Sequence, residues 1–341
     1  MNTGTDKGVF IVAELSANHG HKLQTAKDTI KAIKEAGADA VKLQTYTPDT
    51  ITLDCDNEYF QIKQQTIWDG TTLYKLYQEA YTPWEWQREL FEYARELGLT
   101  VFSTPFDKTS VDFLEELENP IYKIASFEIN DLPLLEYVAS KGKPMIISTG
   151  IATIGEIKEA VDICRAAGNY DIILLKCTSA YPTPYEDINL LTIPNMRETF
   201  GVKVGLSDHS LGSTVALGAV ALGAVLVEKH VILDRSIGGP DAAFSMEIAE
   251  FKTMIQEIRN LEKALGTVNY DLTPQQRRSR EHSRSLFVVK GMKKGETFTE
   301  ENLKSIRPAF GLPTKYFKDI IGKKARKDIA RGTPLDWSLV E

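Results

Sequence analysis

The stretch VKVGLSDHSLGSTVALGAVALGAVLVEKH (202–230) contains two short apolar runs separated by a segment rich in Ala, Leu and Val. The runs VKVGLS (202–207) and AVLVEKH (224–230) have the length and composition of strands. The segment between them ends at Gly223, a residue that commonly stops a helix. This order predicts two parallel strands joined by a crossover helix.

The same unit recurs along the chain. Six earlier runs are VFIVAE (9–14), AVKLQT (40–45), TVFST (100–104), IYKIAS (121–126), PMIIST (144–149) and DIILLKCT (171–178). Helical periodicity lies between many of them, and several of these segments also close with a glycine. Eight strand–helix units predict an α/β fold, a closed (β/α)₈ TIM barrel. An open doubly wound sheet is the alternative, but no G-x-G-x-x-G sequence follows the first run.

The remaining segments predict a second domain. We expect residues 1–268 to form the barrel, with the long stretch 46–83 lying over its mouth. The polar stretch 269–282 is typical of a linker, and 283–341 reads as a small β-rich module. Because such a module is small for a core of its own, we expect it to dock on another surface.

Composition excludes several classes of partner. The chain has 341 residues, 43% of them hydrophobic and 26% charged, which is ordinary for a soluble protein. A net charge of −7 argues against nucleic acid and anionic membranes, because there is no basic excess to replace counterions. No apolar run reaches about 18 residues and no secretion signal is apparent, so we expect a cytoplasmic protein without a membrane span.

The three cysteines predict neither a metal site nor a disulfide framework. Cys55, Cys164 and Cys177 show no metal-ligand spacing and are too few for a stapled fold. Cys164 and Cys177 lie in apolar runs, so we expect both to be inert core residues.

Polar side chains end most of the predicted strands. A TIM barrel carries its active site at the C-terminal ends of its strands, where a structural scaffold would have Val, Ile or Leu. The residues in these places are Glu14, Lys42, Gln44, Thr104, Lys123, Ser126, Glu128, Ser148, Thr149, Lys176, Thr178, Ser207, Asp208, His209, Glu228 and His230. This concentration predicts an enzyme.

Two lysines in apolar runs predict an anion site. Lys42 (AVKLQ) and Lys123 (IYKIA) are hard to solvate, and nearby hydroxyls from Thr104, Ser126 and Ser207 can join them in binding a phosphate and a carboxylate. A Schiff-base lysine, as in aldolases, is the alternative.

Two of the five histidines end neighbouring strands. His209 and His230 follow the seventh and eighth runs, so their imidazoles can converge on one divalent metal ion. Asp208 and Glu228 are candidates for further ligands or for groups that orient the imidazoles. Hydrogen-bonded structural histidines are the alternative.

Ordered motifs along essentially the whole chain resemble the sialic acid synthase family. They are IVAELSANHG, VKLQTYTPD, FSTPF, YKIASFE, STGIAT, KCTSAYPTPYED, GLSDHS and EKH, and the tail with KSIRPAFGL resembles the family's C-terminal antifreeze-like (SAF) domain. QTYTPDTITL, LYKLYQEAYTPWEW, KCTSAYPT and RPAFGL are most similar to the branch that uses 2,4-diacetamido-2,4,6-trideoxy-L-altrose, rather than the neuraminate or legionaminate branches.

The resemblance implies condensation of phosphoenolpyruvate with the open-chain aldehyde of a six-carbon amino sugar, giving a nine-carbon 2-keto acid and phosphate. It implies that phosphoenolpyruvate contacts Lys42, Thr104, Lys123, Ser126, Ser179 and Ser207. The implied sugar contacts are Gln44, Glu128, Tyr181, Asp241 and Arg307. Glu14 takes the place of the family's acid–base carboxylate.

The family also implies a metal and a homodimer. His209 and His230 would hold a divalent ion, usually Mn²⁺, with Mg²⁺ or Co²⁺ as alternatives. The SAF domain would cap the partner subunit's barrel, a domain-swapped arrangement that brings Arg307 to the sugar.

Two departures bear on the sugar. Ser179 stands where the neuraminate enzymes carry Asn, and GGPDAAFS (238–245) mixes features of several branches. A sibling synthase that makes legionaminic or neuraminic acid is therefore an alternative. A non-catalytic sugar-binding protein is a remote one, which loss of Glu14, a lysine or a histidine would have favoured.

Overall fold

A computed structural model describes residues 8–63 and 67–341. The chain divides into two compact units, the first ending at Gly266 and the second running from Thr267 to Glu341. Within the described residues, no helix is long and apolar enough to cross a membrane.

The first unit is a closed barrel of eight parallel strands, as the repeated apolar runs predicted. Its strands are β1 (Phe10–Glu14), β2 (Ala40–Thr45), β3 (Thr100–Pro105), β4 (Tyr122–Ile124), β5 (Met145–Ser148), β6 (Ile172–Lys176), β7 (Lys203–Asp208) and β8 (Leu226–Ile232). Each strand pairs with the next, and β1 also pairs with β8. A short strand β9 (Met246–Glu247) pairs in parallel with the end of β8.

Helices connect the strands. Those of the first unit are α1 (Leu23–Ala36), α2 (Pro48–Ile51), α3 (Leu73–Ala80), α4 (Trp84–Glu96), α5 (Lys108–Glu116), α6 (Leu132–Ala139), α7 (Ile154–Ala166), α8 (Thr192–Phe200), α9 (Thr214–Ala221) and α10 (Ile248–Leu265). Local chemistry fixes many ends. Thr153 and Glu156 form a capping box before α7. Gly37 ends α1 at φ 98°, which explains why this turn needs a glycine.

The barrel interior has an apolar lower layer and a polar upper layer. Val12, Ala40 and Leu226 belong to the buried apolar cluster inside the strands. Two residues further along the same three strands come Glu14, Lys42 and Glu228, all buried. Because side chains alternate with period two, these polar residues lie on the same inner face, nearer the C-terminal ends of the strands. The barrel therefore places ionisable groups at its mouth.

The described parts of the segment 46–83, residues 46–63 and 67–83, lie over this mouth, as predicted. It contains α2 and α3 and an antiparallel bridge between Gln61 and Thr72. Its side chains line one cavity together with residues from the strand ends.

The second unit is small and β-rich, with its own apolar core. Strands β10 (Ser285–Val288) and β11 (Leu303–Ile306) pair antiparallel, and isolated bridges extend the pairing. Helices α11 (Pro274–Ser279) and α12 (Phe317–Ile320) complete it. Buried residues such as Leu286, Phe298 and Leu335 form a core, although the length of the module had suggested that it would be hard to build one.

Candidate active site

A cavity of about 570 Å³ opens at the C-terminal ends of the barrel strands. Strand-end residues form its floor, and the segment 46–83 and residues near 240–244 form its walls. Most of the sequence-predicted residues line it: Glu14, Lys42, Gln44, Lys123, Ser126, Glu128, Ser179, Tyr181, Ser207, His209, His230 and Asp241.

Four buried ionisable groups occupy the floor. Nζ of Lys42 lies 2.9 Å from Oε2 of Glu14 and 3.0 Å from Oε1 of Glu228. Nζ of Lys123 lies 3.6 Å from the same oxygen of Glu228. The hydroxyl of Ser207 donates to Glu228 at 2.9 Å. Two cations therefore balance two carboxylates, a balance that buried charges require.

The two lysines differ in how well their charge is compensated. Burial lowers the pKa of Lys42, but Glu14 and Glu228 raise it more, so its net shift is upward. Burial also lowers the pKa of Lys123, and Glu228 offsets this only in part, so the net shift is downward. The charge of Lys123 is thus less fully compensated than that of Lys42, so Lys123 is the lysine better suited to bind an added anion.

Hydroxyl groups line the same cavity as Lys123. The backbone N–H of Gly150 donates to Oγ of Ser126 at 3.1 Å. A Cβ added at Gly150 would lie 2.3 Å from Oγ of Ser179 and 2.8 Å from Oγ of Ser126, so only glycine leaves both hydroxyls in place. Oγ of Ser148 is buried and has no hydrogen-bond partner in the described part of the chain. Such a group of donors suits an oxyanion.

The two histidines converge as predicted, with ring centroids 5.2 Å apart. Nε2 of His230 lies 3.1 Å from Oε2 of Glu14, and its Nδ1 lies 3.8 Å from Oδ2 of Asp241. Nδ1 of His209 lies 3.3 Å from the carbonyl oxygen of Thr178. Because a carbonyl can only accept, the neutral His209 ring carries its proton on Nδ1 and leaves Nε2 free.

These imidazoles fit a divalent metal ion with few protein ligands. Nδ1 of His230 is buried and makes no hydrogen bond within residues 8–63 and 67–341. The same residues contain no group of three or more His, Cys, Asp or Glu side chains arranged to hold a metal. A metal held by these two imidazoles alone would keep positions for water and substrate.

Asp208 and Glu228 were candidates for metal ligands or for groups that orient the imidazoles, but the structure pairs both carboxylates with lysines instead. Asp208 pairs with Lys229 at 2.7 Å and accepts from the hydroxyl of Ser210. Glu228 pairs with the two floor lysines. The carboxylates that face His230 are Glu14 and Asp241. Asp208 points away from its neighbour His209 because consecutive strand residues point to opposite faces.

Cys177, for which we expect an inert core residue, is buried but lies beside the cavity. Its Sγ lies 3.9 Å from Nδ1 of His209, and it lines the cavity. Burial raises the pKa of Cys177, but His209 lowers it more, to about 7. Cys164, by contrast, is a buried core residue whose pKa burial raises to about 12. The signal missed in the sequence was the position of Cys177 at the end of β6.

Aromatic side chains cover the histidines. Tyr181 packs against His209 with ring centroids 4.4 Å apart, and Phe244 packs against His230 at 5.0 Å. Trp68 contacts Tyr181 at 5.4 Å and donates from Nε1 to the carbonyl oxygen of Pro240 at 3.0 Å. Neither Trp68 nor Phe244 was identified from the sequence.

The predicted sugar-binding residues of the barrel surround the same space. Gln44 donates to Oε1 of Glu14 at 2.9 Å. The hydroxyl of Ser16 donates to Asp241. Oε2 of Glu128 is buried and has no hydrogen-bond partner in the described ranges. Burial raises the pKa of Glu128 to about 7, although Lys123 opposes the shift.

Two of the predicted substrate-binding residues do not line the cavity. Thr104 is buried on β3, and its contact with phosphoenolpyruvate stays a prediction. Arg307 belongs to the second unit, where it is exposed. The loop that carries it is held by the hydroxyl of Ser285, which donates to the carbonyl oxygen of Pro308 at 2.7 Å.

Residues 29–270 match the NeuB family, and residues 283–341 match the SAF domain. The chain belongs to the NeuB family. This confirms the resemblance to sialic acid synthases and their SAF domain that the motifs indicated.

NeuB-family relatives are similar over nearly the whole chain. A pseudaminic acid synthase from Campylobacter jejuni is 50% identical over 99% of this chain and 98% of that protein. An N,N'-diacetyllegionaminic acid synthase from the same species is 36% identical over 94% of this chain and 97% of that protein. The crystal structure of an N-acetylneuraminic acid synthetase from Leptospira borgpetersenii superposes with a TM-score of 0.71 at 31% identity, covering 80% of this chain and 90% of that one.

Proposed function

We propose that this chain is a pseudaminic acid synthase. It condenses phosphoenolpyruvate with 2,4-diacetamido-2,4,6-trideoxy-L-altrose and water, and releases pseudaminic acid and phosphate. The observation that carries this proposal is the 50% identity to a pseudaminic acid synthase over nearly the full length, against 36% for a legionaminate enzyme.

The geometry of the cavity supports this chemistry. Lys123, with the hydroxyls of Ser126 and Ser179, binds the anionic groups of phosphoenolpyruvate beside the buried ion pairs. C3 of phosphoenolpyruvate attacks the aldehyde carbon of the sugar, and water adds at C2. The resulting tetrahedral centre expels phosphate by cleavage of its C–O bond. The carboxylate of Glu14 accepts the proton that the attacking water loses and passes it to the former aldehyde oxygen, which becomes a hydroxyl. The proton of the new C2 hydroxyl leaves with the phosphate as the ketone forms.

Glu14 is ionised at neutral pH, as a proton acceptor must be. Burial raises the pKa of Glu14, but His230 and Lys42 lower it more, and the net shift is well below the usual range. Glu14 also contacts Gln44, so it links the floor of the cavity to the proposed sugar side.

We further propose that His209 and His230 hold a divalent ion, Mn²⁺ in the first place, with Mg²⁺ or Co²⁺ as alternatives. When bound, the ion would polarise the aldehyde oxygen. The converging rings and the unpartnered Nδ1 of His230 support this assignment.

The SAF domain is proposed to act in a homodimer with domain-swapped caps. Arg307 is exposed on a loop that Ser285 holds at both Pro308 and Gly311. A planar guanidinium with five donors suits the hydroxyl and acetamido oxygens of a sugar. Each composite site would use one chain's barrel and Arg307 of the partner subunit.

Phosphate release with phosphoenolpyruvate and three sugars tests the proposal. We expect the L-altrose derivative to react fastest, ahead of 2,4-diacetamido-2,4,6-trideoxy-D-mannose and N-acetylmannosamine. A faster reaction with either competitor would assign the chain to a sibling activity. No release with any sugar would favour a non-catalytic role. Borohydride trapping with pyruvate, the mark of a Schiff-base lysine, should label nothing.

A further inference from the structure

Helix α3 presents an apolar face to the cavity instead of to a protein core. Leu73, Leu76, Tyr77 and Ala80 follow the i, i+3, i+4, i+7 spacing that places side chains on one face of a helix. All four line the cavity. None of the residues of α3 is buried by the described parts of the protein. Amphipathic helices normally bury such a face, so this one is arranged to meet something in the cavity.

Other apolar side chains make this face part of a continuous wall. Tyr46 contacts Tyr77 with ring centroids 5.7 Å apart and Phe106 at 5.0 Å. Ile62, which is itself buried, lines the cavity with them. Apart from Phe106, the wall belongs to the segment that lies over the mouth, whereas the ionised groups of Glu14 and Lys42 lie on the floor.

The cavity therefore has a charged end and an apolar end, and this polarity orients a substrate. Under the proposed condensation, the aldehyde carbon reacts at the floor, near His209 and His230. The opposite end of an open-chain sugar then extends toward α3. In 2,4-diacetamido-2,4,6-trideoxy-L-altrose that end is the C6 methyl group, which gains from contact with apolar side chains. A C6 hydroxyl placed against Leu73, Leu76 or Ile62 would lose its water without gaining a partner from these side chains.

We propose that the α3 wall, built around Leu73 and Leu76, selects sugars that lack a hydroxyl at C6. This proposal rests on the proposed condensation with an amino sugar. It adds the structural feature that distinguishes a methyl group from a hydroxymethyl group at C6. Apolar pockets reject an added hydroxyl by roughly 10- to 100-fold in kcat/KM, and we expect this range here.

The test compares two sugars that differ only at C6: the 6-deoxy compound and 2,4-diacetamido-2,4-dideoxy-L-altrose. We expect the wild type to favour the 6-deoxy sugar by roughly 10- to 100-fold in kcat/KM. Leu76→Gln supplies an amide partner for the hydroxyl and should bring the ratio to within about threefold, leaving the KM for phosphoenolpyruvate unchanged. Lys75→Gln, on the exposed opposite face of α3, is the matched control and should keep the wild-type ratio.

The possible outcomes separate this inference from the proposed function. Equal turnover of both sugars by the wild type would overturn the inference and leave the synthase activity standing. If the wild type turns over neither sugar, both the inference and the proposed function are overturned. If a folded Leu76→Gln variant keeps the wild-type ratio of kcat/KM for the two sugars, the inference is overturned. A variant that changes only its oligomeric state also overturns it, because the apolar face of α3 would then cover a protein segment. If Leu76→Gln does not fold, Leu73→Gln provides the same comparison.

Discussion

Nε2 of His230 lies 3.1 Å from Oε2 of Glu14, and the two residues are register partners on β8 and β1, the strands whose pairing closes the barrel. Lys42 is the register partner of Glu14 on its other side. The carboxylate thus lies between an imidazole and an ammonium group, at the centre of the buried floor.

Replacing Glu14 by Gln keeps the size of this side chain and removes its charge. We expect kcat for phosphate release to fall by roughly 10²- to 10⁴-fold, the usual contribution of a positioned acid–base group. Glu159→Gln on the exposed face of α7 is the control and should leave kcat unchanged. A Glu14→Gln enzyme within tenfold of wild type would contradict the assignment.

Lys42 and Lys123 should respond differently to replacement by Met. Lys42 holds two buried carboxylates, so its loss should lower the free energy of unfolding by about 3–5 kcal/mol, the cost of uncompensated buried charge. Lys123 is paired only at 3.6 Å, so Lys123→Met should be less destabilising and should mainly raise the KM for phosphoenolpyruvate. Denaturant unfolding and steady-state kinetics measure the two effects. A change in the sugar KM alone would exclude the anion-binding role.

Chelation should abolish activity, and added Mn²⁺ should restore it. His209→Ala or His230→Ala should lower the Mn²⁺ affinity by more than about 100-fold, the upper end of the loss caused by removing an outer-shell partner. Titration calorimetry measures this directly, apart from turnover. His282→Ala, exposed in the second unit, is the control. Full activity of the double mutant in chelator would rule out the metal role.

Glu128 should make stability depend on pH. Burial raises its pKa from 4.5 to about 7 in the folded protein, with Asp131 adding to the rise and Lys123 opposing it. Between these values the folded protein holds a proton that the unfolded chain has lost. The contribution of Glu128 to stability therefore falls as pH rises toward 7 and stays low above it.

Glu128→Gln keeps the neutral form and should remove this dependence. Its free energy of unfolding should exceed that of wild type by an amount that grows from pH 5 to pH 7, by at most about 1.4 kcal/mol per pH unit, and then levels off. Urea titrations at pH 5, 6, 7 and 8 measure the difference. A constant difference across these values would contradict the raised pKa. The exposed Glu136→Gln on α6 serves as the control.

Subunit mixing tests the swapped cap. Arg307→Ala and Glu14→Ala chains should each be inactive alone, and mixing should restore activity because a mixed dimer contains one intact composite site. With random exchange half the dimers are mixed, so recovery should approach about a quarter of wild type on this two-site logic. Absence of recovery after verified exchange would mean that Arg307 acts within its own chain or has no role in the site.

The barrel and most of the site residues could be predicted because both follow from simple periodicities. Repeated strand–helix alternation predicts parallel strands, and parallel strands bring their C-terminal ends together. The period of two then predicts which residues share the inner face, as with Lys42 and Gln44, which both line the cavity.

Which side chains pair with one another in the site could not be predicted from these periodicities. Asp208 and His209 are neighbours in sequence, yet Asp208 is held by Lys229, which Ser210 also contacts through its carbonyl oxygen. Cys177 looked like a core residue because its run is apolar, and only the position of the next strand brings it to His209. Such pairings depend on contacts between strands, which no local sequence pattern records.

Because Glu14 and His230 come from the first and last strands, the floor of the cavity exists only after the ring has closed. Contacts between residues far apart along a chain form late and slowly, since a long loop must be ordered first. During refolding, local helix formation should therefore appear well before catalysis returns. Enzymatic turnover therefore reports the final joining of the two ends of the sheet, and a nascent chain that has not yet added β8 should have no activity, because it lacks His230 and the partner strand of Glu14.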